Sequence, residues 1–157
     1  MNTDITLETV GELLRSQRLA VLATAEGDDP YTNIVAFAES ADFRRIVFVT
    51  MRSTRKYKNL SGNPKASLLM DNRSNQEADF HRATAVTACG PVIDTETGAA
   101  ADEARELFVA KHPYLSEFGS SPSAALVVML VDRYVWVDHF QHVVEIRMGG
   151  EEEGVRR

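Results

Sequence analysis

The sequence predicts a mainly β protein, a β-barrel of six to seven antiparallel strands with a few helices at its ends. Short apolar segments recur along the 157 residues, and such segments are typical of strands. The first three have short connections, which favour an antiparallel meander. Helical patterning is confined to a few segments, and no internal repeat or linker divides the chain. We therefore expect one domain over residues 1–148, followed by a disordered, polar and glycine-rich tail over 149–157.

The first half of the chain begins with a helix. Leu7, Val10, Leu13 and Leu14 follow helical spacing, and Thr6 is a suitable N-cap. Three strands are predicted next, at residues 19–24, 31–40 and 45–50. Ser53 is then predicted to cap a short helix over residues 54–60, which Gly62-Asn63-Pro64 would end. A fourth strand over residues 65–71 completes this half.

The second half begins with a polar loop over residues 72–79. A long strand over 83–93 follows, and Gly90-Pro91 within it indicates a bulge or an edge position. The segment 98–111 has an apolar stripe typical of a helix, which His112-Pro113 would stop. A loop with a short turn of helix leads to three final strands, predicted at 124–132, 134–139 and 142–148.

Composition excludes several function classes. A net charge of −6 and a pI near 5.2 argue against nucleic acid or an anionic membrane as the main partner. Cys89 is the single cysteine, so neither a disulfide within the chain nor a paired CxxC metal site is expected. The first residues lack the pattern of a secretory signal, and no apolar run approaches the ~20 residues of a membrane helix. We expect a cytoplasmic protein.

One segment is basic although the protein is acidic. Residues 43–70 contain no Asp or Glu but hold seven of the 17 Lys and Arg residues. Arg55 and Lys56 fall in the first turn of the predicted helix, where the helix dipole disfavours each cation by roughly 0.3–1 kcal/mol. The backbone N–H groups of that turn are unpaired and can bind an anion such as phosphate. The alternative is a helix face whose charges are simply solvated.

The run IVFVTMRSTRKYKNLSGNPKASLLM, residues 46–70, resembles the pyridoxamine 5′-phosphate oxidase-like flavoproteins, which are FMN-binding split β-barrels. The shared pattern is an apolar strand ending in Thr, then Thr-Arg-Lys, a short helix, Asn-Pro and another apolar strand. Upstream, DPYTNIVAF resembles the strand beside the flavin ring. The resemblance implies a homodimer with FMN at the subunit interface, and the implied cofactor-binding residues are Asn33, Ile34, Val35, Ala36, Val49, Thr50, Ser53, Arg55 and Lys56.

The chain departs from true pyridoxamine phosphate oxidases. Asn33, Ala38 and Ala85 stand where those enzymes often have Arg, Lys and Gln, and their C-terminal Trp/Arg/His signature is absent. Oxidation of vitamin B6 is therefore not expected. The resemblance implies an FMN-dependent oxidoreductase that passes electrons to a small-molecule acceptor, and no catalytic residue is assigned. The alternative is a non-catalytic flavin- or haem-binding or storage protein, with haem or the deazaflavin F420 as alternative cofactors.

The C-terminal segment contains an HxxH pattern. His139 and His142 would share a face on a helix and could then bind a metal or haem, but the valine-rich surroundings favour a strand or hairpin. We interpret the pair as part of a polar turn and predict no metal site.

Overall fold

The computed structural model describes residues 4–139, 141–149 and 155–156. The helices are α1 Leu7–Ser16, α2 Arg55–Gly62, α3 Asp79–Arg82, α4 Ala99–Lys111 and α5 Ser116–Gly119, with a 3₁₀ turn at Pro113–Leu115. The strands are β1 Leu19–Glu26, β2 Asp29–Glu39, β3 Arg45–Met51, β4 Lys65–Asp71, β5 Thr84–Asp94, β6 Ala124–Leu130, β7 Arg133–Asp138, β8 His142–Arg147 and β9 Val155–Arg156. No described helix is both long and apolar enough to span a bilayer.

Six strands close into a barrel. They follow the order β4-β1-β2-β3-β6-β5, and β5 pairs back to β4 to complete the ring. Every pairing is antiparallel, and β7, β8 and β9 extend the sheet outward from β5. This confirms the predicted mainly β antiparallel barrel and the predicted meander of β1, β2 and β3.

The interior of the barrel is filled by alternate residues of its strands. Phe37, Phe48 and Leu68 are fully buried there, and α1 contributes Val10 and Leu14 to the same core. A second cluster lies outside the barrel, where α4 packs against β3 and β6. Its members are Val47, Val49, Ala101, Ala104, Phe108, Leu126 and Val128. The α4 helix therefore covers the outer face of one side of the barrel.

Strand β5 pairs with three other strands, β4, β6 and β7, and Gly90 makes this arrangement possible. Residues Cys89 and earlier pair with β7, whereas Val92 and later residues pair with β6. The connection between β6 and β7 crosses β5 at Gly90, where a built Cβ atom would lie 1.9 Å from the carbonyl oxygen of Leu130. Only glycine fits this approach, so the predicted bulge is an exchange of neighbouring strands.

Two local details differ from the sequence predictions. The N-cap of α2 is Thr54, not Ser53: the Thr54 hydroxyl accepts a hydrogen bond from the Tyr57 N–H at 3.3 Å. The predicted polar loop is followed by the short helix α3, which the sequence did not indicate. Of the predicted tail, Val155–Arg156 pairs with β8, while residues 150–154 and 157 lie outside the described residues. Its disorder remains a prediction.

We predict that Gly90→Ala destabilises the fold by about 3 kcal/mol, because the added methyl meets a backbone carbonyl that cannot move without opening the sheet. Gly62→Ala is the matched control: no atom lies within 4 Å of its built Cβ, and Ala in a helix stabilises by up to about 1 kcal/mol. Urea denaturation of both variants tests this. Equal stability of the two variants would contradict the assigned role of Gly90.

Candidate functional site

The barrel is split between β2 and β3. Residues 29–36 of β2 pair with β1, but β2 pairs with β3 only at Phe37, Ala38 and Glu39. β3 continues to Met51 with β6 as its neighbour. Over residues 29–36, the edge of β2 on the β3 side therefore has no strand partner among the described residues. We call the opening between residues 29–36 of β2 and residues 49–51 of β3 the split.

The backbone groups that face the split follow from the hydrogen-bond register. The N–H of Phe37 donates to the Arg18 carbonyl on the β1 side at 3.3 Å. Since successive residues of a strand turn their backbone groups to opposite sides, those of Ile34 and Ala36 point into the split. On β3, the Arg45 carbonyl accepts from Ser40 on the β2 side, so Val49 also faces the split. Its two edges thus carry backbone donors and acceptors.

The N-terminus of α2 lies next to this opening, because only three residues separate it from the end of β3. The Arg55 and Lys56 N–H groups belong to the first helical turn and have no hydrogen-bond partner among residues that the structure describes. The Arg55 guanidinium lies 4.8 Å above the ring of Tyr31 on β2. This contact brings the start of α2 to the β2 side of the split.

Three of the four bases around α2 have acidic neighbours. Arg52 is held firmly: its Nη1 lies 2.9 Å from Asp94 Oδ2 and 2.8 Å from the Tyr57 hydroxyl, which itself donates to Asp94 at 2.8 Å. Hydrogen bonding to Asp94 raises the pKa of Arg52. Arg55 and Lys58 have looser partners, Asp29 at 3.7 Å and Glu26 at 3.8 Å. Those two side chains are exposed and gain little from such distant pairs.

Lys56 differs from these three bases. In the described part of the chain, no carboxylate lies within 4.0 Å of its ammonium group. Partial burial lowers its pKa, since removal from water disfavours the charged form. An uncompensated cation and two unpaired N–H groups therefore occur together at the first turn of α2. This combination is suited to binding an anionic group.

The family model described as pyridoxamine 5′-phosphate oxidase matches residues 6–139. The chain belongs to this family. No curated protein matches it by sequence.

Solved structures of family relatives share the fold at low sequence identity. A heme-binding protein from Mycobacterium smegmatis is 16% identical, with a TM-score of 0.79 over 92% of this chain and 59% of that one. A FAD-binding protein from Mesorhizobium loti is 16% identical and has a TM-score of 0.69; the match covers 84% of this chain and 92% of that one. General Stress Protein 26 from Bacillus anthracis is 17% identical, with a TM-score of 0.68 over 90% and 97%. The chain thus spans under two thirds of the first relative but most of the other two.

The site residues implied by resemblance to the family lie around the split, but their side chains differ in exposure. Ile34 is 64% exposed on the outer face of the sheet, whereas Val35 is buried in the core and Val49 is buried beneath α4. Thr50 is also buried, and its hydroxyl lies 2.9 Å from that of Thr54. Ser53 is exposed just before the helix. Thr50 therefore supports the cap of α2, and the groups open to a ligand on β2 and β3 are mainly backbone groups.

The side chain of Asn33 has a buried oxygen without a hydrogen-bond partner in the described structure, which bears on whether the site suits FMN. Asn33 pairs with Leu22, whose side chain is in the barrel core, and its Oδ1 atom is buried without a hydrogen-bond donor from the described residues. A buried acceptor of this kind is costly unless a ligand or water supplies a donor. The donor set at α2 fits a phosphate, and Asn33 leaves an acceptor on the split strand.

A groove of about 690 Å³ lies elsewhere, against the outer side of β5 and β7. Ala83, Ala85 and Val137 form its apolar floor, and the loop before α3 forms one wall. That loop is held by Asp79, whose carboxylate accepts from the Ser74 and Asn75 N–H groups at 2.9 and 2.7 Å. Strands β1 and β4 separate the groove from the split, and none of the sequence-predicted site residues lines it.

The two histidines of the HxxH pattern meet at one carboxylate. His142 Nδ1 lies 2.7 Å and His139 Nδ1 lies 3.4 Å from Asp138 Oδ1, and both rings are largely exposed. Trp136 donates to the other carboxylate oxygen at 3.1 Å. His139 is outside β7 and His142 begins β8, as expected for a turn. Within the described residues, no group of three metal-ligating side chains is arranged to hold an ion.

Sequence reasoning missed the acidic partners of the basic segment. Asp94 is 42 residues from Arg52 in the chain, and Asp29 and Glu26 come from the hairpin between β1 and β2. A local charge count could not reveal them, because only the closing of the barrel brings them to α2. Tyr57 gave no signal either, as a lone aromatic residue on a short helix is typical of packing.

We predict that Lys56→Gln stabilises the ligand-free protein by roughly 0.3–1 kcal/mol at pH 7, because a cation leaves the first turn of α2. The folded-state pKa of Lys56 is below 10.5, so the unfolded chain binds the proton more tightly and wild-type stability rises as pH increases toward 10.5. The advantage of the variant should therefore shrink between pH 7 and pH 10. Urea denaturation at both values, with the exposed Lys58→Gln as control, measures this; a destabilised variant would indicate a structural role.

Proposed function

We propose that this protein binds FMN in the split. The observation that carries the proposal is the uncompensated Lys56 cation beside the unpaired N–H groups of α2, at the mouth of an opening lined by strand backbone. Arg55, Lys56 and those N–H groups would hold the phosphate, with Ser53 at the approach to the helix. The backbone of residues 34 and 36, and of Val49, would hydrogen-bond the edge of the flavin ring. A flavin-binding relative of the same fold supports this assignment.

We further propose that the protein is an oxidoreductase that passes electrons to a small-molecule acceptor. Bound FMN supplies one- and two-electron redox chemistry, so the chain need not provide an acid or a base. Its residues bind the phosphate, orient the ring edge and exclude water from the split. The non-catalytic alternative is flavin storage. Reduction of the bound flavin by a reduced nicotinamide, followed by absorbance, separates the two: no reduction at any nicotinamide concentration would favour storage.

A homodimer is part of the proposal. On the outer face of β2, β1 and β4 the strand register aligns the apolar residues Ile34, Val21 and Leu69. The row continues through Thr87 of β5 to Val135 of β7. Leu19 and Val143 on the same face are 58% and 50% exposed. Exposed apolar side chains grouped on one face are typical of protein interfaces. Because this face begins at Ile34 on the split strand, a second copy bound there would cover the split.

Haem is a second candidate cofactor. A relative of the same fold is a heme-binding protein, and Asp138 orients His139 and His142 by their Nδ1 atoms. This leaves each Nε2 atom available as a ligand, a common arrangement in metal-binding histidines. The absorption spectrum of the purified protein distinguishes the candidates. Flavin bands with FMN released on denaturation would support the first proposal, and a Soret band would support the second.

We predict that replacing Arg55 and Lys56 together by Ala weakens FMN binding by about 100-fold, because two charge-assisted contacts to phosphate are lost. Riboflavin lacks the phosphate, so its affinity should not change. Lys58→Ala is the control, since this exposed side chain lies one turn further along α2. Fluorescence titration measures the binding of both ligands to the wild-type protein and to the two variants. Equal affinity of the wild-type protein for FMN and riboflavin would contradict a phosphate site.

We predict that Ile34→Lys converts the dimer to a monomer, because it buries a charge in the centre of the proposed interface. Ile93→Lys is the matched control: Ile93 is 45% exposed but lies opposite Val128, on the side of the barrel that α4 covers. Sedimentation equilibrium measures both masses. A dimeric Ile34→Lys variant, or a monomeric wild-type protein, would show that this face is not the interface.

A further inference from the structure

His112 makes a buried contact that the proposed binding chemistry does not use. It is the C-cap residue of α4 and is fully buried. Its Nε2 atom lies 2.7 Å from the carbonyl oxygen of Phe37. Since a carbonyl can only accept, Nε2 carries the proton and donates. In the neutral ring Nδ1 is then an acceptor, and the Tyr114 hydroxyl lies 3.3 Å from it.

Phe37 is the residue at which β2 exchanges β1 for β3. The last residue pair of the β1–β2 ladder joins Leu19 to Ala36, and the Phe37 N–H still reaches the Arg18 carbonyl at 3.3 Å. A continued antiparallel ladder would return a bond from the Arg18 N–H to the Phe37 carbonyl. Here that carbonyl accepts from His112 instead. The imidazole thus takes the place of β1 on that edge of β2, at Phe37, where the split begins on the opposite edge.

Lys111 also contacts this part of β2. Its Nζ atom lies 2.6 Å from Glu39 Oε2 on β2 and 2.9 Å from the Leu14 carbonyl on α1. It also lies 3.9 Å above the ring of Phe37. Both members of the ion pair are largely buried, at 15% and 11% exposure. A pair with this much additional bonding fixes relative positions more than it adds stability.

The helix that carries these two residues also contacts the other strand of the split. Phe108 and Ala104 of α4 pack in one cluster with Val47 and Val49 on the outer face of β3. α4 therefore holds β3 by apolar packing and β2 by the contacts of Lys111 and His112. The helix thus braces both strands beside the three residues, Phe37 to Glu39, at which β2 pairs with β3.

From this geometry we propose that His112 is a positioning residue for the cofactor: by holding the Phe37 carbonyl, it sets the width of the split and the placement of the backbone groups of Ile34 and Ala36. The proposal rests on the proposed function, because it concerns the ring end of the same site. It assigns to His112 no contact with the ligand. The phosphate end, at α2, is independent of it.

The test compares three variants. His112→Leu leaves the Phe37 carbonyl buried without a donor. The affinities for riboflavin and for FMN should both fall about tenfold, so the ratio of the two affinities stays at the wild-type value. His112→Gln keeps an N–H donor and should restore most of the affinity. Tyr114→Phe removes only the exposed hydroxyl and should bind as wild type does. The absorption maxima of bound flavin should shift in His112→Leu and return in His112→Gln.

Either of two results would overturn the proposal: wild-type affinity and spectrum in His112→Leu, or an equal loss in His112→Gln and His112→Leu. If the wild-type protein binds no flavin, the proposed function fails, and amide hydrogen exchange then tests the positioning role alone. Exchange accelerated in His112→Leu at residues 34–38, with the rest of the barrel protected as in wild type, would support it. Acceleration spread evenly over the barrel would overturn it in favour of a general structural role.

Discussion

A β-strand has two hydrogen-bonding edges, and the candidate site exists because β2 uses one of them for only three residues. Had the ladder between β2 and β3 continued past Phe37, Ala36 would have paired with Val49, and the backbone groups of both would have been consumed. The ladder ends there instead. The buried Phe37 carbonyl, which would otherwise lack a donor, receives one from His112. That carbonyl lies on the β1 edge of β2, so His112 takes the place of β1 there, while the opening on the other edge lies where the β2–β3 pairing stops. No described residue of β2 has a positive φ.

The cations at the mouth of the split are only partly paired with acidic side chains. A helix that begins with several cations opposes its own dipole, and the barrel reduces this cost by bringing acids to three of them. Asp94 holds Arg52 with short, direct bonds, while Asp29 and Glu26 stand farther from Arg55 and Lys58. Lys56 receives no such partner among the residues described. The start of α2 can therefore fold without a ligand and still retain a cation for an anionic one.

The sequence predicted the local elements well because each depends on neighbouring residues. Apolar alternation located β1 to β8 within a few residues, and Thr6 and the 98–111 stripe located α1 and α4. Ser53 and Thr54 are both good caps, so the choice between them depended on which hydroxyl reaches the Tyr57 N–H. The features that the sequence did not predict are contacts between residues far apart in the chain. His112 gave the signal of a helix stop, and nothing in the chain around it indicates Phe37, 75 residues away. The family resemblance supplied the cofactor residues, and their roles remain proposals.

One outer face of the barrel is covered by α4 and the other is not, and the split lies on the border between them. α4 covers β3 and β6, where Val47, Val49 and Val128 are buried outside the barrel. The face that begins at Ile34 has no helix over its central row in the described structure, and Ile34, Leu19 and Val143 are exposed on it. The exposed apolar side chains of the second face would be stabilised by burial against another surface. A second copy of the chain would supply it and would close the split from the side that α4 does not reach. Under the proposed function, cofactor binding and self-association would depend on the same strand, and Ile34 would belong to both.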